Sequence, residues 1–344
     1  MKNKKKTAIL YVSASLLLLI FLAISTVAYS FLSKPFTNTE EAYLYIYPGD
    51  DAEAVESKLN DIAHPSVPLS FSTLAKLARK ENAIKTGRYK VTPDMNMLTL
   101  LRHVCNHTQE PLNVVLPSVR TIQDLAGRLG SKLLADSLSI VTLLEDSAYC
   151  ASLGYTTQTI PALFIPNTYQ IYWDTDARQL MERMKRENAI FWDDERTSKA
   201  QAMQMTPSEV ATLASIVDSE TANNPEKPRI AGLYLNRIAI GMPLQSDPTV
   251  IFATGDFSIR RVRGEHLKTE SPYNTYKNFG LPPGPIRIPS IAGIDAVLNH
   301  ETHNYIYMCA KEDFSGTHNY AATYREHQQN ARRYVKALNE RGIK

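Results

Sequence analysis

Cysteine is nearly absent. Cys105, Cys150 and Cys309 are odd in number and widely spaced in a chain of 344 residues. They make no disulfide framework, and no CxxC or Cys/His spacing of a zinc site occurs. His300 and His303 have a spacing a metal could use, but no third ligand adjoins them, and they read as polar surface. No metal or organic cofactor is therefore expected. Long basic runs are missing too. Apart from Lys2, Lys4, Lys5 and Lys6, 34 basic residues face 35 acidic ones, so nucleic acid is not an expected partner. Long apolar runs are missing with one exception. Residues 7–33 carry no charge, and 8–32 are largely Ala, Ile, Leu, Val and Phe. That exceeds the ~20 residues that span a bilayer.

Four lysines precede this run, whereas only Lys34 follows closely before Glu40 and Glu41. The bias places the N-terminus in the cytoplasm and the chain after about residue 33 outside. A cleaved leader would have an apolar core of about 7–15 residues ending at a small-x-small site. This run is longer, and Ala28-Tyr29-Ser30 fits poorly, so an uncleaved single-pass anchor over 8–32 is expected after a tail at 1–7. The remainder, in a chain 44% hydrophobic and 21% charged, has the composition of two or three globular domains.

Beyond a linker, AYLYIY (42–47) alternates like a strand, and helical spacing follows over 51–59 and 70–80. Residues 85–91 read as a turn into a strand, and 94–104 as a helix. LNVVL (112–116) and 122–134 repeat strand, turn and helix about 70 residues on, a weak sign of two small αβ units. Helix is expected over 138–153. IPALFIPNTYQIY (160–172), with two prolines, reads as a packed connector without a regular element. A long amphipathic helix follows over 174–192.

The most informative stretch is 206–245. Thr206-Pro207-Ser208-Glu209 is a helix start with the acid of a capping box. Val210, Leu213, Ala214 and Val217 mark the buried face, and the next position on it is Glu220, just before the stop at Asn223-Asn224-Pro225. Burial and the negative end of the helix dipole both disfavour a carboxylate there, which suits a general acid. The bland alternative is a Glu paired with Arg229 or Arg237. Pro225 restarts a helix with Asn224 as its cap, and its apolar face is Ile230, Ala231, Tyr234 and Ile238. Whether it doubles back on the Glu220 turn is open. Asp247-Pro248-Thr249 reads as another capped start. The Pro- and Tyr-rich 272–289 reads equally as a ligand cleft or a rigid cover. Helices over 290–298 and 323–341 flank a strand at 305–310, a turn at 313–316 and a second strand from Tyr320.

Six ordered blocks carry a resemblance: ASIVDSET (214–221), GLYLNR (232–237), MPLQSDPTV (242–250), SPYNTY (271–276), GLPPGPI (280–286) and HNYAATYREH (318–327). On these blocks the chain resembles the MltG-like (YceG-like) endolytic murein transglycosylases over nearly its whole length. The resemblance implies an α+β protein: the anchor, a LysM-like αβ region over 40–160, and a mainly helical α+β catalytic domain over 161–344. It places the catalytic glutamate at Glu220. Asp218 and Ser219 stand where the family usually has Glu and Lys, which leaves the role of position 218 open.

The implied reaction cleaves the β-1,4 bond between N-acetylmuramic acid and N-acetylglucosamine and leaves a 1,6-anhydro end. One carboxyl group can serve it, first as acid to the glycosidic oxygen and then as base to the sugar's 6-hydroxyl. Hydrolysis usually needs two carboxyls. Asp218 points to another side of the helix from Glu220, and Asp247 reads first as a cap. Glu209 and Glu226 read as helix-start charges. Substrate contacts are expected from Asn236, Gln245, Asp247, Tyr273, Asn274 and Tyr276, with amides for the N-acetyl groups and Tyr faces for the sugar rings. For each, a core or capping role is the alternative. The implied partners are peptidoglycan strands, with synthases of that polymer beside it in the bacterial cytoplasmic membrane. The competing functions are a non-catalytic glycan-binding scaffold and a muramidase-type hydrolase.

Overall fold

A computed structural model describes residues 2–38 and 40–342, with side chains from Lys6 onward. The chain divides into two compact units, one comprising residues 1–113 and 170–175, the other 114–169 and 176–344. The first unit thus draws on two separate stretches of the chain, the second of them six residues long.

The first unit begins with α1 (Lys2–Leu32). Its Lys6–Leu32 part has a mean hydropathy of 2.5 and is long and apolar enough to cross a membrane. Side chains from Ile9 to Leu22 are largely exposed, as expected for a helix without an aqueous partner face. β1 (Ala42–Ile46), α2 (Ala52–Ala63), α3 (Phe71–Leu77), β2 (Gly87–Val91) and α4 (Met97–Cys105) follow. β1 pairs antiparallel with β2, with Leu44 opposite Tyr89. Leu44 and Ile46 point inward from β1 and pack with Val55, Leu59, Leu74, Met97 and Val104. α4 starts at Met97 and not at 94, because the Asn96 side chain caps it through the Thr99 N–H at 2.8 Å.

β3 (Leu112–Leu116) precedes α5 (Ile122–Gly130), α6 (Ser137–Glu145) and α7 (Ser147–Leu153). The helix expected over 138–153 is two. Asp146 takes an extended ψ of 108° and caps α7 through the N–H groups of Ala148 and Tyr149. The expected connector at 160–172 is corrected as well. It holds a 3₁₀ turn (Ile160–Leu163) and β4 (Asn167–Ile171), which pairs with β3. Pro161 lies in the first turn and Pro166 just before the strand, so neither interrupts hydrogen bonding. Strand, helices, strand, helix thus occurs twice along the chain.

α8 (Ala177–Phe191) and α9 (Asp194–Ala202) lead into α10 (Pro207–Glu220), around which the second unit is packed. α9 was not legible in the sequence: only Ala200 of it is buried, so no apolar period marks it. α10 has the expected capping box, with reciprocal bonds between Thr206 and Glu209. Every residue from Val210 to Val217 is buried. α11 (Lys227–Ala239), α12 (Asp247–Thr254) and α13 (Ile291–Leu298) pack on it. Leu213, Ile216, Leu233, Ile294 and Val297 are among the core residues. The hairpin β5 (Tyr307–Ala310) and β6 (His318–Ala321) and the capped helix α14 (Tyr324–Glu340) complete the unit.

Two helix starts differ from expectation. Asn224 does not cap α11 through its side chain; it opens a 3₁₀ turn (Asn224–Glu226). Asp247 is the first residue of α12, and Ser246 stands at the cap position without a side-chain cap bond. Both hydroxyl and carboxylate are thereby available for other partners.

Candidate active site

Glu220 ends α10, and α11 doubles back beside it. The Tyr234 hydroxyl donates to Glu220 Oε1 at 2.7 Å, and the Ser246 hydroxyl donates to the same oxygen at 2.5 Å. Neither arginine of the bland alternative pairs with it. Arg229 forks onto Glu301 at 2.9 and 3.1 Å, and Arg237 donates to the carbonyls of Leu244 and Ile306. Burial pushes the Glu220 carboxyl above its ordinary value, opposed by the hydroxyls of Ser246 and Tyr234 and by nearby His318; Asp247 adds to the rise.

Ser246 is 1% exposed and tightly held. Its N–H donates to Thr275 Oγ1 at 3.1 Å, and its carbonyl accepts from Thr249 Oγ1 at 2.7 Å. Thr249 and Thr275 share a hydroxyl bond of 2.8 Å, and the Gln245 N–H reaches the Thr275 carbonyl. Thus MPLQSDPTV and SPYNTY are clamped to one another. Tyr234 and Ser246 were not singled out by sequence reasoning as site residues. Tyr234 occupies a position of the apolar face it was assigned to, and its hydroxyl gave no periodic signal.

Asp218 points away from Glu220, as its spacing requires. Lys227 Nζ lies 2.6 Å from its Oδ1, with both side chains under a tenth exposed. Ser290 donates twice more, from N–H at 2.6 Å and hydroxyl at 2.8 Å. A Cβ at Gly293 would sit 2.6 Å from this carboxylate, so α13 needs glycine there. Asp218 therefore ties α10 to α11 and α13.

Glu226 is also not a mere helix-start charge. It is 7% exposed and accepts from the His318 N–H at 2.7 Å, with the His318 ring at 3.1 Å and Thr221 Oγ1 at 3.2 Å.

The six expected substrate contacts separate into two groups. Gln245 and Asp247 are exposed, and the Tyr276 hydroxyl donates to Asp247 Oδ1 at 2.7 Å. Burial first, then Asp247, raises the Tyr276 hydroxyl well above its usual range. Asn236, Asn274 and Tyr273 have internal partners. Asn236 donates to the carbonyls of His303 and Tyr305 at 2.7 and 3.0 Å. Asn274, fully buried, donates to the carbonyls of Leu267 and Thr269. Tyr273 packs on Phe252 with ring centroids 4.8 Å apart. His303, expected as plain surface, bonds the Arg229 carbonyl and the Tyr305 N–H, and His300 the Val297 carbonyl.

The site is thus an acid at a helix end, its carboxyl raised by burial and held by two hydroxyls beside loops rich in amides and tyrosines. The YceG-like family model matches residues 44–333, and the chain belongs to that family. It is 31% identical over 168 residues to the endolytic murein transglycosylase of Bacillus subtilis (strain 168), covering 49% of this chain and 46% of that one. It is 25% identical over 321 residues to the endolytic murein transglycosylase of Streptococcus pneumoniae (strain ATCC BAA-255 / R6), covering 83% and 57%. The chain thus spans about half the length of the curated relatives it matches. A crystal structure of a YceG-like protein from Listeria monocytogenes is similar at a TM-score of 0.58 and 25% identity, over 85% of this chain and 99% of that one.

Proposed function

We propose that the chain is a membrane-anchored endolytic transglycosylase of peptidoglycan that cuts the N-acetylmuramic acid–N-acetylglucosamine β-1,4 bond and leaves a 1,6-anhydro end, terminating or trimming nascent strands. The observation that carries the reading is Glu220, an acid raised by burial and, among the described residues, hydrogen-bonded only by hydroxyl groups. Protonated Glu220 donates to the glycosidic oxygen as the bond to the anomeric carbon breaks. The 6-hydroxyl oxygen closes on that carbon and returns its proton to Glu220. No water is consumed. Of the neighbouring acids, Asp218 is held by Lys227 and Ser290, which supports a one-carboxyl mechanism. Gln245, Asp247 and Tyr276 are the proposed sugar contacts, and Asn236, Asn274 and Tyr273 shape the walls that carry them. α1 is the proposed anchor in the cytoplasmic membrane with its N-terminus in the cytoplasm, beside peptidoglycan synthases. Residues 40–160 are the proposed LysM-like region.

The test is mass spectrometry of isolated peptidoglycan strands digested by residues 1–344 in detergent, wild type beside Glu220→Gln. Anhydro-ended internal fragments from wild type alone are expected. Reducing ends would make the protein a hydrolase, with exposed Asp247 as its second carboxyl. Strands bound but uncut by wild type would make it a scaffold.

A further inference from the structure

The two oxygens of Glu220 have different surroundings. Oε1 accepts from both Tyr234 and Ser246. No described residue donates to Oε2, and it is not among the sealed, unpartnered polar atoms of the interior. In a carboxylic acid the carbonyl oxygen is the acceptor and the other oxygen carries the proton. Two donors converging on Oε1 make it the carbonyl oxygen of the acid form. We infer that Tyr234 and Ser246 are positioning residues that fix Oε2 as the oxygen that both delivers and takes back the proton, with Thr249 and Thr275 holding Ser246 for this task. The inference rests on the transglycosylase reading for its chemistry, but its geometry stands apart from it.

The proton on Oε2 passes to the glycosidic oxygen, which leaves with the bonding electron pair of the broken C–O bond as a free hydroxyl. The 6-oxygen forms the new bond to the anomeric carbon and its proton goes to Oε2. The acid is regenerated with the same oxygen protonated, so no rotation of the carboxyl is needed between turnovers. Thr249 and Thr275 are 0% and 1% exposed, each bonds the Ser246 backbone and the two bond one another, so they act through Ser246. The other groups acting on Glu220 are Asp247 from α12, His318 from β6, Arg237 from α11 and Tyr276 from the 271–278 loop.

Two measurements test this on residues 1–344 in detergent. The first is the pH profile of strand cutting for Ser246→Ala, Tyr234→Phe, Thr275→Val and Ser246→Thr. Losing a donor to the charged form moves the basic limb of kcat/KM up by roughly one pH unit and lowers kcat at least about tenfold, with KM within about twofold. Thr275→Val gives a smaller shift of the same sign, and Ser246→Thr, which keeps a hydroxyl, returns the limb toward wild type. A fall in activity with the limb unmoved overturns the inference. The second is infrared difference spectroscopy, with Glu220→Gln identifying the carbonyl stretch of protonated Glu220. That band moves to higher frequency in both Ser246→Ala and Tyr234→Phe, and an unmoved band in both refutes the assignment of Oε1. This reading needs no turnover. A wild type that leaves no anhydro ends therefore counts against the transglycosylase reading, while the band decides the positioning role separately.

Discussion

Asp218 offers the sharpest test of the packing around α10. Its carboxylate takes the Lys227 ammonium at 2.6 Å and two donors from Ser290, with only 4% of its side chain and 7% of that of Lys227 exposed. Asp218→Ala would leave a buried ammonium without a counter-charge and a Ser290 N–H without an acceptor. Breaking such a pair from one side costs about 3–5 kcal/mol. Lys227→Met removes the charge instead, so the double variant should recover at least about 2 kcal/mol relative to the sum of the single ones. The assay is urea unfolding followed by Trp192, which packs on the second unit's core, in a Trp173→Phe background that silences the only other tryptophan. A loss under about 1 kcal/mol for Asp218→Ala, or simple additivity in the double variant, would refute the staple assigned to this pair.

Two further outcomes follow from the same geometry. The Glu220 carboxyl is raised by burial above its unfolded value, so the stability it contributes is complete below that value and is lost as pH rises through the folded one. Glu220→Gln should accordingly gain stability relative to wild type between acid and neutral pH, with the difference vanishing near pH ~4, as followed by thermal unfolding across that range. Gly232→Ala should destabilise the second unit by about 1–3 kcal/mol, because a Cβ there would lie 2.3 Å from the Glu301 carbonyl oxygen, a backbone atom that cannot turn aside. An unchanged urea midpoint for Gly232→Ala would show that the 301–303 segment is free to shift.

What could be read in the sequence was what repeats at short range. The capping box of Thr206 and Glu209 and the face from Val210 to Val217 follow from spacing, and they bring Glu220 to the helix end. The same reading missed what depends on distant residues. Tyr234 is 14 positions and Ser246 26 positions from the oxygen they share. Periodicity marks Tyr234 as apolar and leaves its hydroxyl unassigned. Asp247 looked like a cap because an acid before proline usually is one, but its carboxylate is drawn to Tyr276 and the helix starts a residue earlier than a cap at 247 would allow. Glu226 looked like a helix-start charge because nothing near it in sequence hints at His318, 92 positions on. The six family blocks held the missing signal: Tyr234, Ser246, Thr275 and His318 all lie in them, and even GLPPGPI reaches α10 through the Ile286 N–H to Ser215.

The contrast between Glu220 and Glu226 shows how neighbouring positions acquire different chemistry. Burial acts on both, and in isolation would raise both. At Glu226 it is outweighed by the His318 backbone N–H and ring, which hold the carboxyl below its ordinary value. At Glu220 the only direct donors among the described residues are two neutral hydroxyls, on one oxygen, and burial prevails. A carboxylate fixed by a backbone N–H and an imidazole is a strut, and its lone pairs are occupied. A carboxyl whose surroundings disfavour its charged form, with one oxygen that no described residue bonds, is suited to give a proton and receive it back. The environment, more than residue type or place in the sequence, thus sets the opposite shifts of Glu220 and Glu226 and gives Glu226 the anchoring of β6.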